Sequence, residues 1–519
     1  MGRAVNVYTI SAFAALGGGL FGFDISSMSG VLATDQYKNY FNNPLGLQQG
    51  AITSSMAAGS VVGAIISSPL GEKLSRKHAI QLAALLWILG AAVQSAANGV
   101  PMLVTGRIVC GLCVGVTSSL VPVYQAELAP RQIRGRLVTL QQWAITWGIM
   151  IQFFVQYGCS YIPSTASFRV PWGVQIVPAV ILLAALFFFP KSPRWLANKD
   201  HWDEALRVLA YLRTPNCDVD DPLVLAEFKE IEDQIRWERE NSTNSYYELF
   251  RGRLLRRSVL ALSIQMWSQF CGINVLLYYI VYVLEGAGVT NTLMSSSIQY
   301  VINVVMTVPA MMWSDRWGRR PPLIIGSFLM AVFFFTIAAV YKIYGEPTSD
   351  VDRAYTWMIY DNMPASRAVV ALSYLTVATY AMSWGPISWM YPPEIMPLRL
   401  RSKAMSIASA GNWATNYMLG FGVPPLFRVI SWRMFLIFGV LNVLACVHVF
   451  FAFPETKQRT LEEMNLIFEP GPPLWKKFMT REDPHRSKID STARDIELGN
   501  IKLHRSVEVE MYDYSSDQY

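Results

Sequence analysis

Twelve runs of about 20 mostly apolar residues dominate this chain, each long enough for one helical crossing of a bilayer. They lie near residues 8–30, 51–70, 79–98, 101–123, 137–158 and 171–190, then 258–284, 291–313, 322–344, 367–391, 403–427 and 431–453. Such runs are too long and too numerous for a soluble core. Of the 519 residues only 15% are charged, against about 25% in an ordinary soluble domain. The chain reads as an all-α membrane protein with twelve crossings. The first run is long and has only Arg3 ahead of it, which suits a retained helix rather than a cleaved signal.

The net charge of +6 is scattered over loops and is no nucleic-acid signature. Its placement is informative. Basic triplets occur in alternate loops: Lys73/Arg76/Lys77, Arg131/Arg134/Arg136, Arg316/Arg319/Arg320 and Arg399/Arg401/Lys403. The loop 191–257 is also basic, although Arg353, Arg367, Arg428 and Arg433 fall on the other side. The positive-inside rule places the basic loops, and with twelve crossings both termini, in the cytoplasm.

The spans divide six and six around the polar segment 191–257. Amphipathic stretches at 200–206 and 225–231 predict short helices there. Motifs recur in order across the two groups. GEKLSRK (71–77) answers SDRWGRR (314–320), Glu127-Leu-Ala-Pro130 answers Glu394-Ile-Met-Pro397, and PKSPRW (190–195) answers PETKQR (454–459). The pairs stand about 240–270 residues apart, the mark of a duplicated unit. Six crossings per copy give both copies one orientation, the parallel repeat of alternating-access carriers. The expected organisation is a six-helix half at 1–190, a cytoplasmic segment at 191–257, a second half at 258–453, and a tail at 454–519 that is polar and disordered from about Arg481.

No enzyme site emerges. His78, His201, His448, His485 and His504 lack metal-ligand spacing, so no metal and no cofactor are expected. Cys110-Gly-Leu-Cys113 lies within a span rather than beside a βαβ unit. Gly106, Gly111 and Gly115 follow no strand, and close helix packing accounts for them. The sequon Asn241-Ser-Thr243 falls in a loop expected to be cytoplasmic.

Over nearly its whole membrane portion the chain resembles the sugar porter branch of the major facilitator superfamily. The matching stretches are GFDISSMSG (22–30), GRIVCGLCVG (106–115), PVYQAELAPRQIRGR (122–136), PKSPRWL (190–196), QFCGINVLLYY (269–279), SDRWGRR (314–320), GPISW (385–389) and PETK (454–457). The long central loop and the run around 265–288 look most like fungal high-affinity glucose transporters. The resemblance implies the major facilitator fold, function as a monomer at the plasma membrane, and charge pairs that hold a cytoplasmic gate. Those would involve Arg76, Glu127, Arg134, Asp315, Arg319, Glu394 and Arg401. Departures occur at the same end: Glu72 and Ser75 in the first GEKLSRK motif, Lys191 for the usual acid, and Gln458 after PETK. Ser268 stands in the first place of the family's Gln-Gln pair, leaving Gln269.

Neutral amides lie well inside the spans: Gln142, Gln269, Asn274, Asn303, Asn412 and Asn416. Each both donates and accepts, which suits a ring of hydroxyls and buries no charge. Interhelical glue, worth about 0.6 kcal/mol per contact, is the plainer role for any one of them. The resemblance carries Gln142, Gln269, Asn274, Asn303 and Asn412 onto hexose-binding positions. It also puts Trp389, after Pro386, and Trp413 at the substrate, where an indole can stack on a sugar's C–H face.

Asp24 and Arg107 are charges within spans, and such residues are functional candidates by default. Each is six residues from the same end of its span, or about 9 Å of helix. Equal depth makes them a plausible pair. Proton-coupled sugar porters carry an Asp and an Arg at the matching places, so the resemblance favours proton-coupled import of glucose or a similar hexose. A facilitative uniporter is the nearest alternative, and a non-transporting sugar receptor comes from another class. A drug antiporter is less favoured, because the amides suit hydroxyls better than apolar cations.

Overall fold

The computed structural model describes residues 4–457 and Phe468, except 33, 131–132, 215, 242–245, 349–353, 361 and 398–399. Outside the described residues fall Ser242 and Thr243 of the sequon, Arg131, Arg353, Arg399, Gln458 and the tail from 481, with the side chains of Arg134 and Asp315.

The helices are α1 (Ala4–Val31), α2 (Asp35–Tyr40), α3 (Leu47–Leu74), α4 (Arg76–Ser95), α5 (Val100–Leu128), α6 (Arg134–Cys159), α7 (Ala166–Val174) and α8 (Ile176–Phe188). Next come α9 (Pro193–Asn198), α10 (Trp202–Arg213) and α11 (Pro222–Asn241). The remainder are α12 (Gly252–Phe270), α13 (Ile273–Tyr278), α14 (Ile280–Gly286), α15 (Thr292–Trp317), α16 (Arg320–Tyr344), α17 (Met363–Met382), α18 (Trp384–Ile395), α19 (Arg401–Val429) and α20 (Arg433–Ala452).

Counting α7–α8, α12–α14 and α17–α18 as single passages, the bundle has twelve membrane helices, as the sequence predicts. Among the described residues nine are long and apolar enough to cross a membrane by length and composition. The other three passages are α6, α12–α14 and α19. They are less apolar for a reason: they carry Gln142, then Gln269 and Asn274, then Asn412 and Asn416.

One packing pattern occurs twice. α1 lies on α6, α3 on α5, and α4 between α5 and α8; in the second set α12 lies on α19, α15 on α17, and α16 between α17 and α20. The two sets meet where α3 runs along α19 and α6 along α15. The end of the bundle carrying Arg76, Glu127, Arg319 and Glu394 is the basic end. Short helices α10 and α11 contain the two amphipathic stretches, and with α9 they share a small core of Leu196, Leu209, Val224 and Ile231. Arg213 fixes that core to the bundle, gripping Glu227 at 2.7 and 2.8 Å and donating to the Leu128 carbonyl at the end of α5 at 2.9 Å. The sequence gives no warning of the two-stranded antiparallel hairpin β1 (Gly345–Pro347) and β2 (Trp357–Ile359), or of α2.

Breaks in the passages have local causes. Gly272, at φ 82°, separates α12 from α13, a conformation that favours a residue without Cβ. The break between α17 and α18 falls at Ser383 rather than at Pro386, which sits in the first turn of α18. Proline is tolerated there because first-turn N–H groups lack helical partners.

The glycines of α5 act by close approach. A Cβ on Gly111 would stand 2.1 Å from the Met56 carbonyl oxygen of α3, and one on Gly115 2.2 Å from that of Ser60. Gly111→Ala is therefore expected to push α3 from α5 and to destabilise by about 1–3 kcal/mol. A lowered unfolding temperature in detergent checks this, with Gly158→Ala, whose Cβ would meet nothing within 4 Å, as the control.

Candidate functional site

Close packing of α5 on α3 brings Arg107 to the middle of the first set of helices. Its Nη2 donates to Asp24 Oδ2 of α1 at 2.8 Å and to the Thr53 carbonyl of α3 at 3.1 Å. Both side chains have zero exposure. Asp24 Oδ1, Arg107 Nε and Arg107 Nη1 have no hydrogen-bond partner among the described residues. An ion pair removed from water is expensive unless its remaining atoms are satisfied, so this half-satisfied pair is a costly feature to keep for bracing alone. Above it a polar line continues: Gln49 donates to the Thr53 hydroxyl at 2.9 Å and accepts from Tyr37 of α2 at 3.1 Å.

The second polar cluster is an amide network across α12, α13 and α19. Gln269 is its hub. Its Nε2 donates to Asn412 Oδ1 at 2.7 Å, and its Oε1 accepts from Asn274 at 2.6 Å and from Asn416 at 3.1 Å. Ser268 reaches Asn412 at 3.5 Å. The break at Gly272 makes this possible, because it turns Asn274 back toward Gln269 five residues earlier. Asn412 Nδ2 and Asn303 Oδ1 are buried without partners among the described residues. Four of the six amides are thus joined. Gln142 instead lies over Gly385, where an added Cβ would stand 3.1 Å from its Nε2.

The two tryptophans bridge the helix sets. Trp413 donates from Nε1 to Ser118 of α5 at 3.0 Å and meets the Phe21 ring of α1 edge-on at 4.6 Å. Trp389 packs with Val123 and Met405. Ser118, Phe21 and Thr53 escape sequence reasoning because small hydroxyl and aromatic residues are common throughout such spans.

Contacts between the sets occur at both ends. At the basic end Ser406 donates to the Ala64 carbonyl at 2.6 Å and Thr139 meets Met390 Sδ at 2.9 Å. At the other end Gly50 abuts the Phe421 carbonyl, and Tyr300 joins Ser29 at 3.0 Å.

The repeated charge motifs form equivalent pairs at the basic end. Arg76 meets Glu127 at 3.2 Å, and Arg319 grips Glu394 at 2.6 and 3.1 Å. Arg401 is buried nearby in sequence at the start of α19. Beyond that the repeats differ. In the second, the Glu455 carboxylate accepts the main-chain N–H of Arg319 at 2.8 Å and of Arg320 at 3.0 Å, capping α16. In the first, the matching residue is Lys191, which faces Glu204 at 3.7 Å, and Ser75 caps α4 by accepting the His78 N–H at 3.3 Å. Ser75 holds φ 87° to do so. Lys191→Glu is expected to give α4 an anionic cap and to stabilise the closed basic end by about 0.3–1 kcal/mol. A higher unfolding temperature checks it.

The family model "Sugar (and other) transporter" matches residues 10–468. An MFS glucose transporter of Aspergillus flavus is 48% identical, over 97% of this chain and 96% of its own length. A high-affinity glucose transporter of Kluyveromyces lactis is 43% identical, over 91% and 86%. A high glucose sensor of Saccharomyces cerevisiae is 32% identical over 89% of this chain, a match that spans 61% of that protein. Among solved structures, the proton:xylose symporter XylE bound to 6-bromo-6-deoxy-D-glucose aligns with TM-score 0.77 and 28% identity, over 90% of this chain and 100% of that one. XylE from E. coli in its inward-open form aligns with TM-score 0.66 and 27% identity, over 89% and 100%. With the family model running from residue 10 to 468 and relatives aligned along nearly its whole length, the chain belongs to the sugar transporter family of the major facilitator superfamily.

Proposed function

We propose that this protein imports a monosaccharide, glucose or a close hexose, across the plasma membrane together with protons. The observation that carries the reading is a fully buried Asp24–Arg107 pair with one carboxylate oxygen unpartnered among the described residues, in a bundle whose central amides are neutral. The glucose transporters among the relatives and the sugar-binding proton symporter among the neighbours support it. The basic end faces the cytoplasm by the positive-inside rule, with both termini on that side.

The amides explain the substrate class. Without sugar, Gln269 spends its donor and acceptor on Asn412, Asn274 and Asn416. Hydroxyls do both jobs, so a sugar can replace these bonds one for one, with Asn412 Nδ2 and Asn303 Oδ1 taking further hydroxyls. Trp413, with Trp389 beyond it, supplies apolar surface for the ring face. Gln142 reaches in from the opposite set and lets sugar draw the two sets together.

Asp24 supplies the coupling. A proton arriving from outside binds at Oδ1, neutralises the carboxylate and weakens its attraction for Arg107, freeing α1 to move with Phe21 against Trp413. The outer end closes over sugar and proton, the pairs Arg76–Glu127 and Arg319–Glu394 part, and the six-helix halves rock to open inward. Loss of the proton inside restores the ion pair and resets the carrier. The protein does this as a monomer.

Purified protein in liposomes tests the reading. Hexose should enter, exchange by counterflow, and carry protons in with it. Sugar flux without proton movement would identify a uniporter, and binding without flux a receptor.

A further inference from the structure

The passage α12–α14 breaks a second time at Tyr279, which ends α13 and precedes α14. In a membrane, main-chain carbonyls released by such a break must find partners within the protein. Leu276 and Leu277 lie just ahead of this break, and α15 meets both carbonyls. Gln299 donates to that of Leu276 at 2.5 Å, and the Tyr300 hydroxyl lies 3.0 Å from that of Leu277. Tyr300 does something more. Its hydroxyl is also 3.0 Å from Ser29 Oγ on α1, and its ring packs on Phe153 of α6 with centroids 4.7 Å apart. A carbonyl can only accept, so the phenol donates to Leu277. Its one hydrogen is shared between that carbonyl and Ser29 Oγ, while the Ser29 hydroxyl itself donates to the Ser26 carbonyl at 3.2 Å.

One fully buried hydroxyl therefore joins two helices from different sets. α1 carries Asp24, five residues before Ser29, or about 7.5 Å along the helix. α13 carries Asn274, three residues before Leu277, bonded to the amide hub. We propose that Tyr300 is a positioning residue for coupling: it touches neither sugar nor proton, and its bridge from Ser29 to Leu277 makes the position of α1, set by Asp24, felt by the sugar-binding amides on α13. The inference rests on the symport reading above. Around the ion pair the ionisable neighbours are Cys110 of α5 and Tyr278 beside Asp24, with Tyr37 of α2 and Tyr279 beside Arg107. Thiols and phenols ordinarily ionise only well above neutral pH, so the Asp24 proton is the charge change that α1 registers.

Tyr300→Phe tests this, because it keeps the ring against Phe153 and removes only the hydroxyl. In liposomes, wild-type and variant proteins are compared for counterflow, for sugar-driven proton uptake, and for the pH dependence of the external KM. Counterflow should persist in the variant, since exchange needs only the loaded carrier. The rise of KM with external pH should flatten, and proton uptake per sugar should fall about tenfold, the scale of losing a pair of hydrogen bonds. Ser29→Ala, which cuts the α1 arm and leaves the Leu277 carbonyl bonded, should flatten the profile likewise. A residue that merely braced the break would lower turnover equally at every pH. Wild type coupling beside a Tyr300→Phe protein with an unchanged pH profile overturns this inference alone, as does flattening in Tyr300→Phe that Ser29→Ala lacks. Sugar flux without protons in the wild type overturns the symport reading and this inference together.

Discussion

Asp24→Asn is expected to reach the membrane, bind sugar and exchange it, yet never concentrate it. With one proton per sugar, an external pH about two units more acid drives about 100-fold accumulation in the wild type, since each unit is worth about 1.36 kcal/mol. The variant should equilibrate at a ratio of one. The geometry explains why it should still fold. Arg107 uses only Oδ2 of Asp24, and the amide oxygen of the variant can accept that same bond. Its NH2 group takes the place of Oδ1, which has no partner to lose among the described residues. What remains is an arginine without a counter-charge, and severing a buried ion pair costs about 3–5 kcal/mol. The retained hydrogen bonds to the amide and to the Thr53 carbonyl offset part of this, so lower expression beside intact counterflow is the expected pattern. Sugar-induced proton uptake that survives in Asp24→Asn would remove Asp24 from the coupling step.

Gln269→Ala should cost more in affinity than any other single amide change. Among the described residues Gln269 is the one bonded to Asn274, Asn412 and Asn416 together. Its loss leaves three buried amides short of a partner and the bound sugar short of a donor and an acceptor. Each unsatisfied buried group costs about 1–3 kcal/mol, so the sugar Kd should rise about 10- to 100-fold. Asn416→Ala, whose contact with the hub is the longest of the three at 3.1 Å, should cost less than tenfold at the same scale. Calorimetric titration with glucose checks the order. Equal losses in the two variants would show that the hub geometry does not govern binding.

The membrane crossings were legible in the sequence because lipid imposes one requirement on each of them separately: about 20 apolar residues in a helix. The duplicated charge motifs were legible for a similar reason, since each repeat writes its Arg and Glu at a fixed separation in its own loops. Asp24 and Arg107 could be singled out by cost alone, as charges inside apolar runs.

Which groups touch is a different kind of fact. Asp24 meets Arg107 because Gly111 and Gly115 let α5 settle onto α3, and equal depth could only make that contact plausible. The joining of Gln269 to three asparagines depends on Gly272 turning the chain and on α12 packing against α19. Asn303 and Gln142 match the same pattern of intramembrane amides yet lie outside that network, and Trp389 packs with Val123 and Met405. Thr53, Ser118, Ser29 and Tyr300 were silent in the sequence, because a lone hydroxyl acquires meaning only from what stands across from it. Hydropathy and charge act on one helix at a time and can be read along the chain. Hydrogen bonds between helices reach only about 3 Å, so their partners, often more than a hundred residues away, were decided by tertiary packing alone.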